Sequence, residues 1–452
     1  MLTLYFGALR RLSRNVLLYL AAAALIGLAF DGGVFTVLFN LYLLRVGFGP
    51  EFIGQANSAG LLAFAVASLP SGPLGTRFGV RRVMVLGLAL MGLCGLLGPS
   101  VNLFIPEPWV GATIVTLWIV MYTGMAFFFV NAVPFVMEIA NDEERSQAFS
   151  LQTALISLFA FTGALLGGFL PRLFAGWLGV DLTDPAPYRF PLILSASVLF
   201  VPIWIILRIR SGTSVSTSAQ ALGDPSPSSI ATPQPDPVIA DSAPRRLFGQ
   251  WASPVMITVL LLSTVRFFQV GGIATAFTFF NVYMDTQLMV APEQIGIIAA
   301  LARLGGVFLA LFTPVVIAKW GAPSAVLVAS TVSTLSLLPL ALVPHPIAAG
   351  MGYIGVTAFA SMRYPAFMFF CMTLVPPSWR STVAGMGEFF GGLSFALMAF
   401  VGGYMIAWTG FPVLFLSGMM LTLIGTALFF FWYILPTRAK PLPEPLPSNP
   451  AA

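Results

Sequence analysis

Phe39-Asn40-Leu41-Tyr42, followed by Pro50-Glu51-Phe52-Ile53-Gly54, returns later in the chain as Phe280-Asn281-Val282-Tyr283 followed by Pro292-Glu293-Gln294-Ile295-Gly296. Beyond these runs, Arg77-Phe78-Gly79 falls on Lys319-Trp320-Gly321, and Arg145-Ser146 with Gly167-Gly168 falls on Arg380-Ser381 with Gly402-Gly403. The offset stays between 235 and 242 residues in a chain of 452. Matches kept in order at four separate places point to one unit duplicated in parallel.

Composition says what kind of unit it is. Apolar residues make up 58% of the chain and charged residues 8%. A soluble domain carries about a quarter charged residues. The 21 basic and 16 acidic side chains are too few to coat a water-facing surface of this size, so a soluble enzyme is excluded. The net charge of +5 reflects where arginines sit relative to a bilayer, and nucleic acid is not an expected partner.

Cutting the chain at Gly/Pro clusters and charges predicts helices near 15–44, 51–75, 80–99, 108–138, 145–170 and 188–209. Six more follow near 252–285, 292–318, 322–343, 346–375, 379–407 and 411–435, each long enough to cross a bilayer. The expected fold is an all-α membrane protein of twelve transmembrane helices in two pseudo-symmetric six-helix bundles, residues 1–209 and 251–436. Residues 210–250 are rich in Ser, Pro, Ala and Thr and read as a disordered cytoplasmic linker, and 437–452 as a disordered cytoplasmic tail. The first apolar run follows Arg10, Arg11 and Arg14 but continues past Asp31 to Leu44, so an uncleaved span is expected rather than a signal peptide.

Basic residues test this topology, because cytoplasmic loops hold an excess of Lys and Arg. With the N-terminus inside, fifteen of the 21 fall on the cytoplasmic side, and only Arg45, Arg172 and Arg189 fall outside. Both termini are therefore expected in the cytoplasm, with the chain in the cytoplasmic membrane. Cys94 and Cys371 lie in apolar stretches far apart and read as core-filling thiols.

Two six-helix halves joined by a long cytoplasmic linker resemble the major facilitator superfamily of secondary transporters over essentially the whole chain. The family's Gly-x-x-x-Asp-Arg-x-Gly-x-Arg/Lys-Arg/Lys signature between helices 2 and 3 is matched by Gly72, Arg77, Gly79, Arg81 and Arg82, with Thr76 in place of the Asp. The resemblance implies a cytoplasmic gate in which a tight turn at Gly79 and basic groups hold helix ends together. Its expected members are Arg77, Arg81, Arg82, Glu138, Arg145 and Arg380, with Glu138, Asp142 or Glu144 replacing part of the missing Asp; the other reading is that these arginines only set topology. Gly163-Ala164-Leu165-Leu166-Gly167-Gly168 resembles the Gly-Pro-x-x-Gly-Gly of proton-coupled exporters, and equally suits plain helix packing. Those exporters commonly carry an arginine in helix 4, absent here between Trp109 and Val136.

Five ionisable residues fall inside spans: Asp31, Arg266, Arg303, Arg363 and Glu388. Each costs roughly 3 kcal/mol near a helix centre, on the order of 15 kcal/mol together, too much to leave facing lipid. Three guanidiniums against two carboxylates suit a substrate with an anionic group; structural pairs, Asp31 with Arg266 or Glu388 with Arg363, are the alternative. Gln269 follows Arg266 by three positions and is expected on its face. Expected substrate-binding residues are thus Arg266, Gln269, Arg303, Arg363, Asn131 and Gln152, with Asn131 and Gln152 equally able to serve as interhelical glue. Asp31 and Glu388 are the expected proton carriers. His345 lies in an outer loop, and Phe267, Phe277 and Phe367 are possible cavity walls.

No Gly-rich phosphate loop precedes either lysine, and one His with two Cys makes no ordinary zinc site, so no metal or cofactor is expected. The resulting expectation is a non-enzymatic secondary transporter, working as a monomer in the lipid bilayer. It moves a small organic solute by alternating access, coupled to protons, with export favoured over uptake on the helix 5 motif. Two readings stay open beside it: a facilitator or flippase for an amphipathic molecule, and a sensor or scaffold that no longer transports.

Overall fold

The computed structural model describes residues 12–209, 254–376 and 379–434. The expected linker, 210–250, and tail, 437–452, lie outside the described residues.

Among the described residues twelve helices are long and apolar enough to cross a membrane. They are α1 (Arg14–Val46), α2 (Pro50–Phe78), α3 (Val80–Phe104), α4 (Glu107–Ile139), α5 (Gln147–Leu178) and α6 (Ala186–Arg208), then α7 (Val255–Thr286), α8 (Pro292–Trp320), α9 (Ala322–Leu342), α10 (Pro346–Leu374), α11 (Thr382–Thr409) and α12 (Phe411–Tyr433). Two of the one-residue turns are made by repeated glycines. Gly79 between α2 and α3 has φ 94°, and its counterpart Gly321 between α8 and α9 has φ 80°, a region other residues enter only with strain.

The two halves meet along α2 against α11 and α5 against α8. Both crossings are made by motif glycines. A Cβ on Gly168 of α5 would lie 2.9 Å from the Gly296 Cα of α8, and one on Gly54 of α2 would lie 3.1 Å from the Gly403 Cα of α11. Gly54 and Gly296 are repeat counterparts, as are Gly168 and Gly403, so the crossings are symmetry mates.

Between them the asparagines of the repeated Phe-Asn-x-Tyr run reach across in both directions. Asn40 Nδ2 donates to the Thr278 carbonyl at 2.8 Å, and Asn281 Nδ2 donates to the carbonyls of Thr36 and Val37 at 3.0 and 3.1 Å. These ties lie toward the end that carries the α1–α2 and α7–α8 turns. One apolar core runs the length of the first half, from Val16 to Phe39, and continues at that end into the second half through Phe280 to Phe415. At the opposite end the second half keeps a separate core around Val259, Phe367 and Phe429. The halves are therefore joined at one end and distinct at the other.

One expectation needs correction. The first span is not a continuous helix but breaks between Ala29 and Val34. Gly32 adopts φ 84°, and the loose turn is closed by Thr36, whose Oγ1 accepts from the Gly32 N–H at 3.0 Å and donates to the Phe30 carbonyl at 2.9 Å. The break is wedged by α5, where a Cβ on Gly163 would lie 2.8 Å from the Gly33 Cα and one on Gly167 3.3 Å from the Val34 Cα. Each glycine of the Gly163–Gly168 motif is thus spent on a backbone contact, two with α1 and one with α8.

A methyl group at the inter-half crossing has nowhere to go, because the nearest atoms are backbone. Gly296→Ala is expected to cost about 1–3 kcal/mol through overpacking and to lower the melting temperature of the purified protein. Gly176→Ala, in the facing α5 and with nothing within 4 Å of its Cβ, should leave that temperature unchanged.

Candidate functional site

The break in α1 brings Asp31 to the wall of a cavity of about 280 Å³, shared with Gln152, Thr153 and Ser157 of α5 and Arg303 of α8. Arg303 crosses from the other half and lies so close to Gly32 that a Cβ there would overlap its guanidinium. Its Cζ sits 5.5 Å from the centre of the Phe277 ring. Gln152 presents a buried Oε1 without a partner. The structure therefore gathers Asp31, Gln152 and Arg303 from both halves, and sets Arg303 rather than Arg266 beside Asp31.

A second group lies within the C-terminal half. Arg266 of α7 stands 4.8 Å over the ring of Tyr364 of α10, against Gly391 of α11, and Glu388 lies beside Tyr364. Arg363 is 2% exposed, and its Nη1 donates to the Gln269 carbonyl at 2.6 Å. Gln269 is wholly buried, its side chain turned into the seam with α12 at Gly425, both amide atoms unpartnered. Gln269 and Arg266 were expected on one face; three residues of helix leave about 60° between them, which is enough to send one toward α10 and α11 and the other into α12.

Among the described residues no carboxylate oxygen comes within 4 Å of Arg266, Arg303 or Arg363; the inter-residue ion pairs that do form there lie elsewhere. The alternative pairings, Asp31 with Arg266 and Glu388 with Arg363, are not made.

The remaining expected residues occupy other places. Asn131 is buried between α4 and α2, donating to the Ser71 and Phe127 carbonyls at 3.2 and 3.0 Å, so it lines no cavity with the charged groups. Arg77 and Arg82 are exposed at the α2–α3 turn, Arg81 is half-buried beside them, and Glu138 is exposed near the end of α4. Arg145 Nη2 donates to the Met137 carbonyl and Arg380 Nε to the Met372 carbonyl, both at 3.1 Å. These are repeat counterparts doing one job: each supplies a donor to the last turn of the preceding helix, α4 or α10, where carbonyls lack intrahelical partners and a cation is favoured. Glu144 accepts from the Ser13 N–H at 2.8 Å and so holds the start of α1.

Two features of the molecule lie outside the residues expected from the sequence. The first is a chamber of about 50 Å³ at the centre of the inter-half contact, walled by Phe30, Phe35, Phe39, Trp118, Tyr122 and Phe277 with Thr36, Asn40, Asn57, Leu61 and Thr278. Of these only Phe277 was expected as a cavity wall, while Phe39 and Asn40 stood out only as part of the repeated run; Trp118 and Tyr122, one helical turn apart on α4, were the available signal. The second is a set of side-chain bonds across the closed end. Arg45 pairs with Asp285 through two bonds of 2.7 and 2.5 Å and also donates to the Leu182 carbonyl at 2.8 Å. Arg172 meets Glu293 at 3.4 Å, and Gln55 donates to the Tyr404 hydroxyl at 2.7 Å.

The family model described as the Major Facilitator Superfamily matches residues 20–397 and 262–452. The chain belongs to that superfamily. Its fold and family are those of multi-pass membrane transporters, not of enzymes. Among solved structures it is similar to a D-xylose–proton symporter, with 14% identity, TM-score 0.70 and coverage of 97% of this chain and 100% of the other. It is also similar to the nucleoside transporter NupG, with 12% identity, TM-score 0.66 and coverage of 92% and 100%. A bacterial homologue of the human lysosomal transporter Spinster, inward-facing and unoccupied, gives 13% identity, TM-score 0.66 and coverage of 92% and 96%. In sequence it is 29% identical over 126 residues to the methylenomycin A resistance protein of Bacillus subtilis (strain 168), a match spanning 27% of this chain and 25% of that one.

The Arg45–Asp285 pair bridges the halves at the closed end of this superfamily member, with Asp285 nearly buried. Removing one partner strands the other, so Arg45→Ala and Asp285→Ala are each expected to cost about 2 kcal/mol. The double variant should cost clearly less than the sum, which thermal or denaturant unfolding of the four proteins checks as a double-mutant cycle.

Proposed function

We propose that this transporter moves a small organic solute bearing an anionic group, coupled to protons, by rocking its two halves about the central cavities. The observation that carries the anionic reading is the set of three intramembrane guanidiniums, Arg266, Arg303 and Arg363, none of which has a carboxylate within ion-pair reach among the described residues. Cations left uncompensated away from water are costly, and a carboxylate or phosphate on the solute removes that cost when it binds. Proton coupling is supported by Asp31, which faces a cavity at a break in α1, and by Glu388 on the Arg266 side. Discontinuous helices at this depth are where transporters of this kind place substrate and coupling-ion sites.

The excess of basic residues around the ends away from the closed contact supports a cytoplasmic location for the termini in the cytoplasmic membrane. With that orientation the joined end faces outward and the present state is open to the cytoplasm. Export is favoured by the Gly163–Gly168 motif and by the short match to a protein named for resistance. A monomer contains every residue the mechanism uses.

A thermal-shift screen of the purified protein against a diverse solute library at pH 6 and pH 8 tests the reading, since a specific ligand stabilises the folded state by mass action. Anionic solutes are expected among the stabilising ligands, and Arg266→Gln and Arg303→Gln are each expected to weaken them more than tenfold; hits that are all neutral or cationic would overturn the proposal. In proteoliposomes Asp31→Asn is expected to abolish flux driven by a pH gradient while leaving solute exchange at equal pH. Gradient-driven flux surviving in that variant removes Asp31 from the coupling step.

A further inference from the structure

Asp31 and Arg303 carry opposite charges and wall one cavity, yet they do not pair. Among the described residues Arg303 has no carboxylate within 4 Å, although its guanidinium packs on Gly32, the residue next to Asp31. Consecutive Cα atoms are about 3.8 Å apart, so the two charges stand beyond ion-pair reach but less than about 10 Å from each other. Gln152 adds a buried Oε1 that accepts no hydrogen bond. Two acceptors from the first half, Asp31 and Gln152, thus share the cavity with one donor group from the second. The rest of the wall is Ser157, Thr153, whose hydroxyl donates to the Phe149 carbonyl at 3.2 Å, and the apolar Phe129, Ile156 and Ala160.

We infer that this cavity takes a zwitterion, and that the transported solute is an α-amino acid with an apolar side chain, its carboxylate held by Arg303 and its ammonium by Asp31 and Gln152. The carboxylate rests on the anionic reading of this same site; the ammonium is added to it. Charge balance sets the first limit. The cavity holds one charge of each sign, so a simple monocarboxylate would meet Arg303 only by bringing a second anion within a few ångströms of Asp31. At an effective dielectric of about 20, like charges at that range weaken binding by more than tenfold. An ammonium one carbon away from the carboxylate removes that repulsion and gives Asp31 a partner. A simple amine fails in the mirror sense, against Arg303.

Geometry sets the second limit. Two charge-assisted bonds of about 2.8 Å, joined through groups that share one carbon, reach about 8 Å end to end, inside the interval open between Asp31 and Arg303. Volume sets the third. The cavity, at about 280 Å³, is nearly twice the ~150 Å³ of an apolar cavity that encloses one benzene, which gives room for the body of leucine or phenylalanine against Phe129, Ile156 and Ala160. Because the acceptors belong to α1 and α5 and the guanidinium to α8, the two charges of the solute are held by opposite halves. Only a solute carrying both charges ties one half to the other, and that differential contact is what lets occupancy bias the rocking of the bundles.

The test is equilibrium binding to the purified full-length protein at pH 7, by calorimetry, of solutes that share a carbon skeleton: leucine, isocaproate, which lacks the ammonium, and isopentylamine, which lacks the carboxylate. Phenylalanine, hydrocinnamate and phenethylamine form a second set. In at least one set the amino acid is expected to bind at least tenfold more tightly than either analogue. Asp31→Asn, of nearly the same shape, should weaken the amino acid more than tenfold without weakening the monocarboxylate, and should still exchange amino acid at equal pH when the solute is saturating, because Arg303 remains. Arg303→Gln should weaken the amino acid as much without weakening the amine. The comparison among solutes uses the unaltered chain, so it decides the matter even where a variant fails to fold. Binding of neither amino acid, or a monocarboxylate binding as tightly as its amino acid, overturns the inference, and a monocarboxylate that binds in either case leaves the anionic reading standing. An amine binding as tightly as its amino acid overturns both, since the carboxylate then contributes nothing.

Discussion

Backbone meeting backbone at four glycines is the constraint from which the rest follows. Gly168 against Gly296 and Gly54 against Gly403 bring helices of opposite halves closer than any side chain permits. Only at that separation do Asn40 and Asn281 reach carbonyls across the gap, and only then do Arg45 and Asp285 close two short bonds. Dispersion at such crossings falls off steeply with distance, so the contact is made or lost as a unit rather than stretched. An interface confined to one end, with separate cores at the other, is what a rocking motion between two rigid bundles requires.

Structural residues obey the repeat and the intramembrane charges break it. Gly79 and Gly321, Asn40 and Asn281, and Arg145 and Arg380 do matching jobs in the two halves. At the repeat offset of 241 or 242, Asp31 faces Gly272, Arg266 faces Leu25 and Arg303 faces Leu61. Duplication supplies a symmetric frame, and a solute without two-fold symmetry needs an asymmetric lining. The two cavities show this: Asp31 and Gln152 come from the first half and Arg303 from the second, and the chamber takes three of its six aromatic walls from α1, two from α4 and only Phe277 from the second half.

Much of this was legible before any coordinates. Span number follows from apolar runs, since a hydrocarbon layer sets the length a helix needs, and the repeat is visible because turns and crossings tolerate few residue types. Less legible was which charge meets which. Asp31 and Arg266 look like natural partners on neighbouring helices, yet Arg303 occupies the place beside Asp31 because Gly32 leaves room for a guanidinium there. Gln269 looks like a companion of Arg266 and instead fills the α7–α12 seam. Arg145 and Arg380, which family resemblance marks as gate residues, also complete the ends of α4 and α10, a contact that depends on where those ends lie.

By itself the sequence determined the membrane, the twelve spans, the duplication and the presence of costly charges in the interior, because each of these depends on composition or on local spacing along one helix. Tertiary structure decided the break in α1, the partners of each guanidinium, the clasp at one end and the aromatic chamber. Those features depend on the rotation and separation of helices distant in the chain, and a few tens of degrees or one missing Cβ redirects a side chain from one neighbour to another.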